Sequence, residues 1–246
     1  MLRAAFFDAA GTLFHTREPA GLSYARIARR FGVEADERLV IDSFRRSFGT
    51  APGLAFGPGH EAAKLRRLER EWWRELVRAT FANIGHFAEF ETYFDALFAF
   101  FADPVNWIRD PAAEPMLARL RENGLTLGVI SNFDHRIYRI LETLELSRYF
   151  DSITISSETG YAKPSQEIFR AALGRHSLPA ADAVHVGDSE PLDVVGARAA
   201  GLAAVLVDPE ASQPPTRQEP SLFEARCVRV RSLSEVAAAI GRLEFP

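Results

Sequence analysis

Asp8, Ser131 with Asn132, Lys163 and Asp188 each follow a short apolar stretch, in AAFFD, LTLGVISN, ITISSETGYAK and AVHVGD. Two carboxylates, a hydroxyl, an amide and an ammonium group suit the transfer of a phosphoryl group. A carboxylate can attack phosphorus and form an acyl phosphate, which divides one hard step into two, and Asp8 is the candidate nucleophile. Charge growing on the phosphoryl oxygens needs positive partners, which Lys163, Ser131 and the backbone amides of the turn after Asp8 can supply. A hard divalent cation prefers oxygen ligands, and Mg²⁺ commonly takes one or two carboxylates with waters and substrate oxygens. Asp8 and Asp188 are the natural pair for it. Each residue alone has a plainer reading. An aspartate after a strand often caps a helix or forms a turn, a lysine before proline is usually solvated, and Asp193 in GDSEPLD sits where a helix N-terminus favours an acid. Their ordered occurrence at successive strand ends is what points to chemistry.

These residues can meet only if the strands before them lie side by side. Ala4 to Phe7, Leu125 to Ile130, Ile153 to Ile155, Ala183 to Val186 and Ala203 to Val207 read as strands, and Cys227 to Val230 adds an edge strand. Ala112 to Glu122, His135 to Leu144, Gln166 to His176 and Pro191 to Ala200 have helical period. Such alternation predicts an α/β fold, a parallel sheet covered by helices, with ligands beyond the carboxyl ends of its strands.

From His15 to Asn106 there is no convincing strand. LSYARIARRF, ERLVIDSFRRSF, EAAKLRRLEREWWRELVRATF and FETYFDALFAFF all space their apolar residues as helices do. This predicts an all-helical insertion over 15–107, set into a core made of 1–14 and 108–246. Trp72, Trp73, Phe94, Phe98, Phe100 and Phe101 read most simply as its packing. GTAPGLAFGPGH, from residue 49 to 60, reads as a long Gly/Pro loop directed at the site, and SQPPTRQEPS as a polar surface loop.

With 246 residues, 47% hydrophobic and 25% charged, the chain can bury a substantial core. Its formal charge of -4 offers no general attraction to nucleic acid or to an anionic membrane. Lys64 and Lys163 are the only lysines, and the single Cys227 cannot form an internal disulfide. MLRAAFFDAAG lacks the long apolar region of a signal peptide, and no stretch is long enough to span a bilayer. The expectation is a cytoplasmic protein, monomer or homodimer, whose partner is a small phosphorylated molecule.

DAAGTLF, ISNF, SSETGYAKPSQEIF and HVGDSEPLDVVGARAAG resemble the four ordered motifs of the haloacid dehalogenase superfamily, and the match spans the chain. AGLSYARIARRFG, the Trp pair and the wording ISNFD are similar to one group within it. The resemblance implies a Rossmann-like core, a helical cap inserted after the first strand, Mg²⁺-assisted chemistry and a phosphoaspartate intermediate. By position, Asp8 would be nucleophile and metal ligand, Ser131 a phosphate ligand with Asn132 beside it, and Lys163 the balancing cation. Asp188 would hold Mg²⁺, with Asp193 supporting the metal or Lys163. Thr12 would shape the turn after the nucleophile and border the phosphate with Ser131, Asn132 and Lys163.

One position departs from the pattern. Phosphatases of the family usually carry Asp two residues after the nucleophile, as general acid and base, and here that residue is Ala10. Its carbonyl still offers a metal ligand. Losing such a group slows catalysis by about 10² to 10⁴ fold, most for esters of poorly leaving alcohols and least for aryl or acyl phosphates. His15, Asp134 and His135 are the nearby residues that could substitute. Three other readings compete with a slowed phosphatase. The family's dehalogenases also lack an acid here but resemble a Ser at the place of Asp188. Its phosphonoacetaldehyde hydrolases depend on a cap lysine, for which Lys64 is the one candidate. The third alternative is a catalytically impaired binding or regulatory protein.

Overall fold

The structure is a computed structural model that describes residues 1–210 and 226–244. SQPPTRQEPS lies outside the described residues.

Six strands form one parallel sheet: β1 (Ala4–Phe7), β4 (Thr126–Ser131), β5 (Ser152–Ile155), β6 (Ala183–Gly187), β7 (Ala203–Val207) and β8 (Cys227–Val230), in the order β5-β4-β1-β6-β7-β8. The central strand β1 has all four residues buried, as a strand covered on both faces requires. Alternation divides it cleanly between two layers. Ala5 and Phe7 pack with α5 (Ala113–Glu122), α6 (Arg136–Thr143) and α10 (Val236–Glu244), while Ala4 and Phe6 pack with α8 (Gln166–Gly174) and α9 (Val195–Ala199). The result is an α/β, Rossmann-like three-layer arrangement. The chain runs from β1 outward to β4 and β5, then crosses back to β6 on the other side of β1. That reversal opens a crevice at the carboxyl ends of β1 and β6, where open α/β sheets bind ligands.

Four helices intervene after the first strand: α1 (Ala20–Arg29), α2 (Glu37–Thr50), α3 (Ala62–Phe81) and α4 (Phe90–Ala102). They share a buried cluster of their own, built around Tyr24, Ile27, Val40, Val77, Phe81, Tyr93, Phe94 and Leu97. Contrary to the sequence expectation, this segment is not free of strand. β2 (Phe14–Thr16) pairs antiparallel with β3 (Trp107–Arg109), Phe14 opposite Arg109 and Thr16 opposite Trp107. The ribbon ties the chain's departure from the sheet to its return, and three residues are too few to display a period of two.

Two further expectations need adjusting. Pro191 to Ala200 is not one regular helix: a wide turn over Glu190–Val194 precedes α9, with the Val194 amide donating to the Ser189 carbonyl at 3.4 Å. The Gly/Pro loop does not line the site. It lies against the segment that leads to Lys163: a Cβ on Gly160, at φ 80°, would come within 2.1 Å of the Gly57 carbonyl carbon. Glycine there meets both a left-handed backbone and a close chain approach.

Candidate active site

The register sets Phe7 beside both Val129 and Val186, so Asp8, Ser131 and Asp188 emerge along one edge of the sheet. The turn after β1 is closed by the Gly11 amide on the Phe14 carbonyl at 2.9 Å and the Leu13 amide on the Ala9 carbonyl at 2.8 Å. Gly11 has φ 100°, and a Cβ there would come within 2.7 Å of Asp188 Oδ2. Glycine is what lets this turn lie against the second carboxylate.

Lys163 is buried, and its Nζ lies 2.8 Å from Asp8 Oδ1 and 2.6 Å from Asp193 Oδ1. Burial alone would lower its pKa, but Asp8 and Asp193 outweigh that and raise it, so the ammonium stays charged. Asn132 fixes the lysine by its backbone: Oδ1 accepts the Lys163 amide at 2.7 Å and Nδ2 donates to the Lys163 carbonyl at 3.0 Å. Asn132 also borders the crevice, as does Ser131, which is buried.

Asp193 lies behind the lysine. Its Oδ1 also faces His185 Nε2 at 2.8 Å, and its Oδ2 accepts the Ser189 amide at 3.0 Å. Burial works against its ionisation, yet Lys163 and His185 hold the carboxyl well below the usual range. Of the two roles expected for Asp193, support of Lys163 is the contact present, although its oxygen is still within 4.8 Å of those of Asp8 and Asp188. Asp188 is in the opposite condition: burial, then the Asp8 charge, push it up to about 6. A hard divalent cation beside Asp8 and Asp188 would relieve that repulsion, so the donor set fits Mg²⁺.

Thr12 makes a contact that spacing did not reveal. Its hydroxyl donates to Asp188 Oδ1 at 2.8 Å and so orients that carboxylate. Removing an outer partner of a metal-binding carboxylate typically costs about 10 to 100 fold in metal affinity. Thr12→Val is therefore expected to raise the Mg²⁺ concentration for half-maximal activity by about tenfold or more. A metal titration of wild type and variant measures this, and superimposable curves would refute it.

None of the three substitute acids borders the crevice. His15 is exposed on β2 and opposite Ile108. His135 faces Glu69 of α3 through Nδ1. Asp134 is fully buried and gripped by Arg136, with Nε to Oδ1 at 2.8 Å and Nη2 to Oδ2 at 2.5 Å. Burial opposes its charge, but Arg136 more than offsets this and lowers the carboxyl pKa, so Asp134 is a fixed counter-ion. Lys64 is exposed on α3 and likewise absent from the crevice.

Sequence reasoning missed Arg136 and saw only the packing of Trp73. Trp73 Nε1 donates to Asp134 Oδ2 at 2.6 Å, across 61 residues of sequence. The Arg136 guanidinium lies 5.0 Å from the centre of the Trp73 ring and 4.3 Å from that of Phe98. The nearest signal was the Asp134-x-Arg136 spacing at a helix start, which by itself suggests only capping. Arg136→Met would leave Asp134 buried without its counter-ion, a loss of roughly 3 to 5 kcal/mol. Urea unfolding of the variant should show it, and an unchanged midpoint would contradict the pairing's importance.

Above Asp8 the crevice opens into a cavity of about 400 Å³ between the sheet edge and the inserted helices. Ala10 is among the residues that line it and is half-buried.

Residues 2–201 match the family model for haloacid dehalogenase-like hydrolases. The chain is 34% identical to haloacid dehalogenase-like hydrolase domain-containing protein 3 of Bos taurus over 211 residues, 84% of this chain and 82% of that protein. It is 33% identical to the Homo sapiens protein of the same name over 222 residues, 88% and 86% of the two chains. Among solved structures, a putative HAD-hydrolase of Bacillus subtilis bound to magnesium aligns with a TM-score of 0.71 at 18% identity, over 98% of this chain and 99% of that one. A HAD phosphatase from Thermococcus onnurineus aligns at 0.64 and 21%, over 98% of each chain. At these identities the solved structures establish likeness of fold.

Proposed function

This chain belongs to the haloacid dehalogenase-like hydrolases, and we propose that within that family it is a Mg²⁺-dependent phosphohydrolase. It acts on a small phosphorylated molecule through an aspartyl phosphate on Asp8, and does so slowly because position 10 carries no acid. The inserted helices, over 15–107, serve as the cap above a core of 1–14 and 108–246. The observation that carries this reading is the environment of Asp8. One carboxylate oxygen is held 2.8 Å from the Lys163 ammonium at the floor of a cavity, and a second carboxylate stands beside it.

In the reaction, the Lys163 contact and the Asp193 carboxylate behind it fix Asp8 with its other oxygen directed to phosphorus. Ser131 and Lys163 meet the phosphoryl oxygens, and Asn132 keeps the lysine in place through its backbone. Asp8, Asp188 and the Ala10 carbonyl would hold Mg²⁺, which when bound would offset the charge of the carboxylates and the phosphoryl group. With no acid at position 10, the leaving group departs as its anion, and water reaches the aspartyl phosphate without a neighbouring base.

The missing acid also favours a second reading, a binding or regulatory protein that keeps the site without turnover. Steady-state hydrolysis of phenyl phosphate separates the two. The expected result is turnover that chelation lowers by about 10² fold or more and added Mg²⁺ restores. Turnover that survives chelation would remove the metal from the account, and no turnover would favour the binding reading.

A further inference from the structure

Besides the residues around Asp8, the cavity is lined largely by rings, those of Tyr24, Trp73, Phe94, Phe98, Phe101 and Trp107 among them. Apart from Asp8, Lys163, Asp188 and Asp193, Arg136 is the one charged residue lining the cavity among the described residues, and Asp134 neutralises it through two hydrogen bonds from its guanidinium. Two rings cover the same guanidinium. A leaving group bearing a carboxylate or a second phosphate would find no available cation here. The many hydroxyls of a sugar would lose their water without finding partners, at a cost for each unpaired group.

Tyr24 lines the cavity and is only 2% exposed. Burial pushes its phenol pKa up, with the Arg136 charge opposing, so it stands neutral as a single donor and acceptor in an apolar wall.

We infer that the leaving group is a phenol, so that the substrate is an aryl phosphate monoester with an uncharged ring. The inference rests on the phosphohydrolase reading and narrows it. Two separate features lead to it: the aromatic, charge-neutral cavity, and Ala10, which requires a leaving group able to depart unprotonated. A phenol, with a pKa of about 10 as in tyrosine, leaves as phenolate far more readily than an alkanol leaves as alkoxide. The Asp8 carboxylate forms a bond to phosphorus while the bond from phosphorus to the phenolic oxygen breaks. That oxygen keeps the electron pair and takes a proton from solvent. Water then adds at phosphorus, the bond to Asp8 breaks with its pair returning to the carboxylate, and the proton of water passes to solvent as inorganic phosphate forms.

The test compares wild-type kcat/KM, with Mg²⁺, for 2-naphthyl phosphate, acetyl phosphate and glycerol 1-phosphate. Acetyl phosphate also needs no protonation of its leaving group but cannot fill the cavity. The expected order is 2-naphthyl phosphate above acetyl phosphate by about tenfold or more, through KM, and glycerol 1-phosphate lower by about 10² fold or more. Phe98→Ala should raise KM for 2-naphthyl phosphate about tenfold with kcat little changed. 2-Naphthol should compete with the substrate in the wild type, a measurement that needs no variant. Acetyl phosphate turned over as efficiently as 2-naphthyl phosphate, with no competition by 2-naphthol, would overturn the aryl assignment and leave the phosphohydrolase standing. Failure of all three substrates would overturn both.

Discussion

Asp8→Asn is expected to lower kcat for an aryl phosphate by on the order of 10⁴ fold or more, the scale of losing a covalent nucleophile. The amide has nearly the shape of the carboxylate, so the strand end and its amide bond to the Val186 carbonyl at 2.8 Å are kept. What is lost is the nucleophilic oxygen, together with one of the two carboxylates that hold Lys163. Asp193 still neutralises the buried ammonium, so the variant should fold. Steady-state rates, with circular dichroism as the check on folding, test this, and a rate within tenfold of wild type would remove Asp8 from the role of nucleophile.

Ala10→Asp should act in the opposite direction. A carboxyl at the floor of the cavity restores a proton donor for the leaving group and a base for water, which is worth about 10² to 10⁴ fold. The turn that carries residue 10 is held by backbone bonds among Ala9, Gly11, Leu13 and Phe14, so a new side chain there leaves its supports in place. In kcat/KM, which reports transfer to Asp8, the gain should be largest for glycerol 1-phosphate and small for 2-naphthyl phosphate, because a phenolate needs little help to leave, whereas kcat for 2-naphthyl phosphate should rise as the restored base speeds hydrolysis of the aspartyl phosphate. Rates for both substrates in wild type and variant measure it. An unchanged rate for glycerol 1-phosphate, in a variant that folds and binds Mg²⁺ normally, would mean that the missing carboxyl is not what limits the enzyme.

The parts of the site carried by strand ends were legible in the sequence. In a parallel sheet the apolar runs point the same way, so Asp8, Ser131 and Asp188 had to share an edge once β1, β4 and β6 were neighbours. Lys163 could be placed with them, and the resemblance offered Asp193 as support for either the metal or the lysine, but that its ammonium touches both Asp8 and Asp193 depends on side-chain direction rather than spacing. The same limit explains Thr12, whose hydroxyl turns to Asp188 across 176 residues of sequence. The upper half of the site was largely invisible. Helical period showed that Trp73 and Phe98 belong to apolar faces, yet that pattern does not distinguish a face packed on another helix from one left lining a cavity. The pairing of Asp134 with Arg136 made an apparent acid into a counter-ion, and only the burial of both reveals it. β2 and β3 were too short to announce themselves, and their pairing joins residues far apart in the chain.

The most direct test of the account is to look for the covalent intermediate. Wild-type protein is mixed with Mg²⁺ and phenyl phosphate labelled in its phosphoryl group, quenched in acid within the first turnover, and digested to locate the label. With no base at position 10 to hasten its hydrolysis, the phosphoenzyme should accumulate to a substantial fraction of the protein, on Asp8, and should be absent from Asp8→Asn. Turnover that proceeds with no label on the protein, or with label on another residue, would contradict the account.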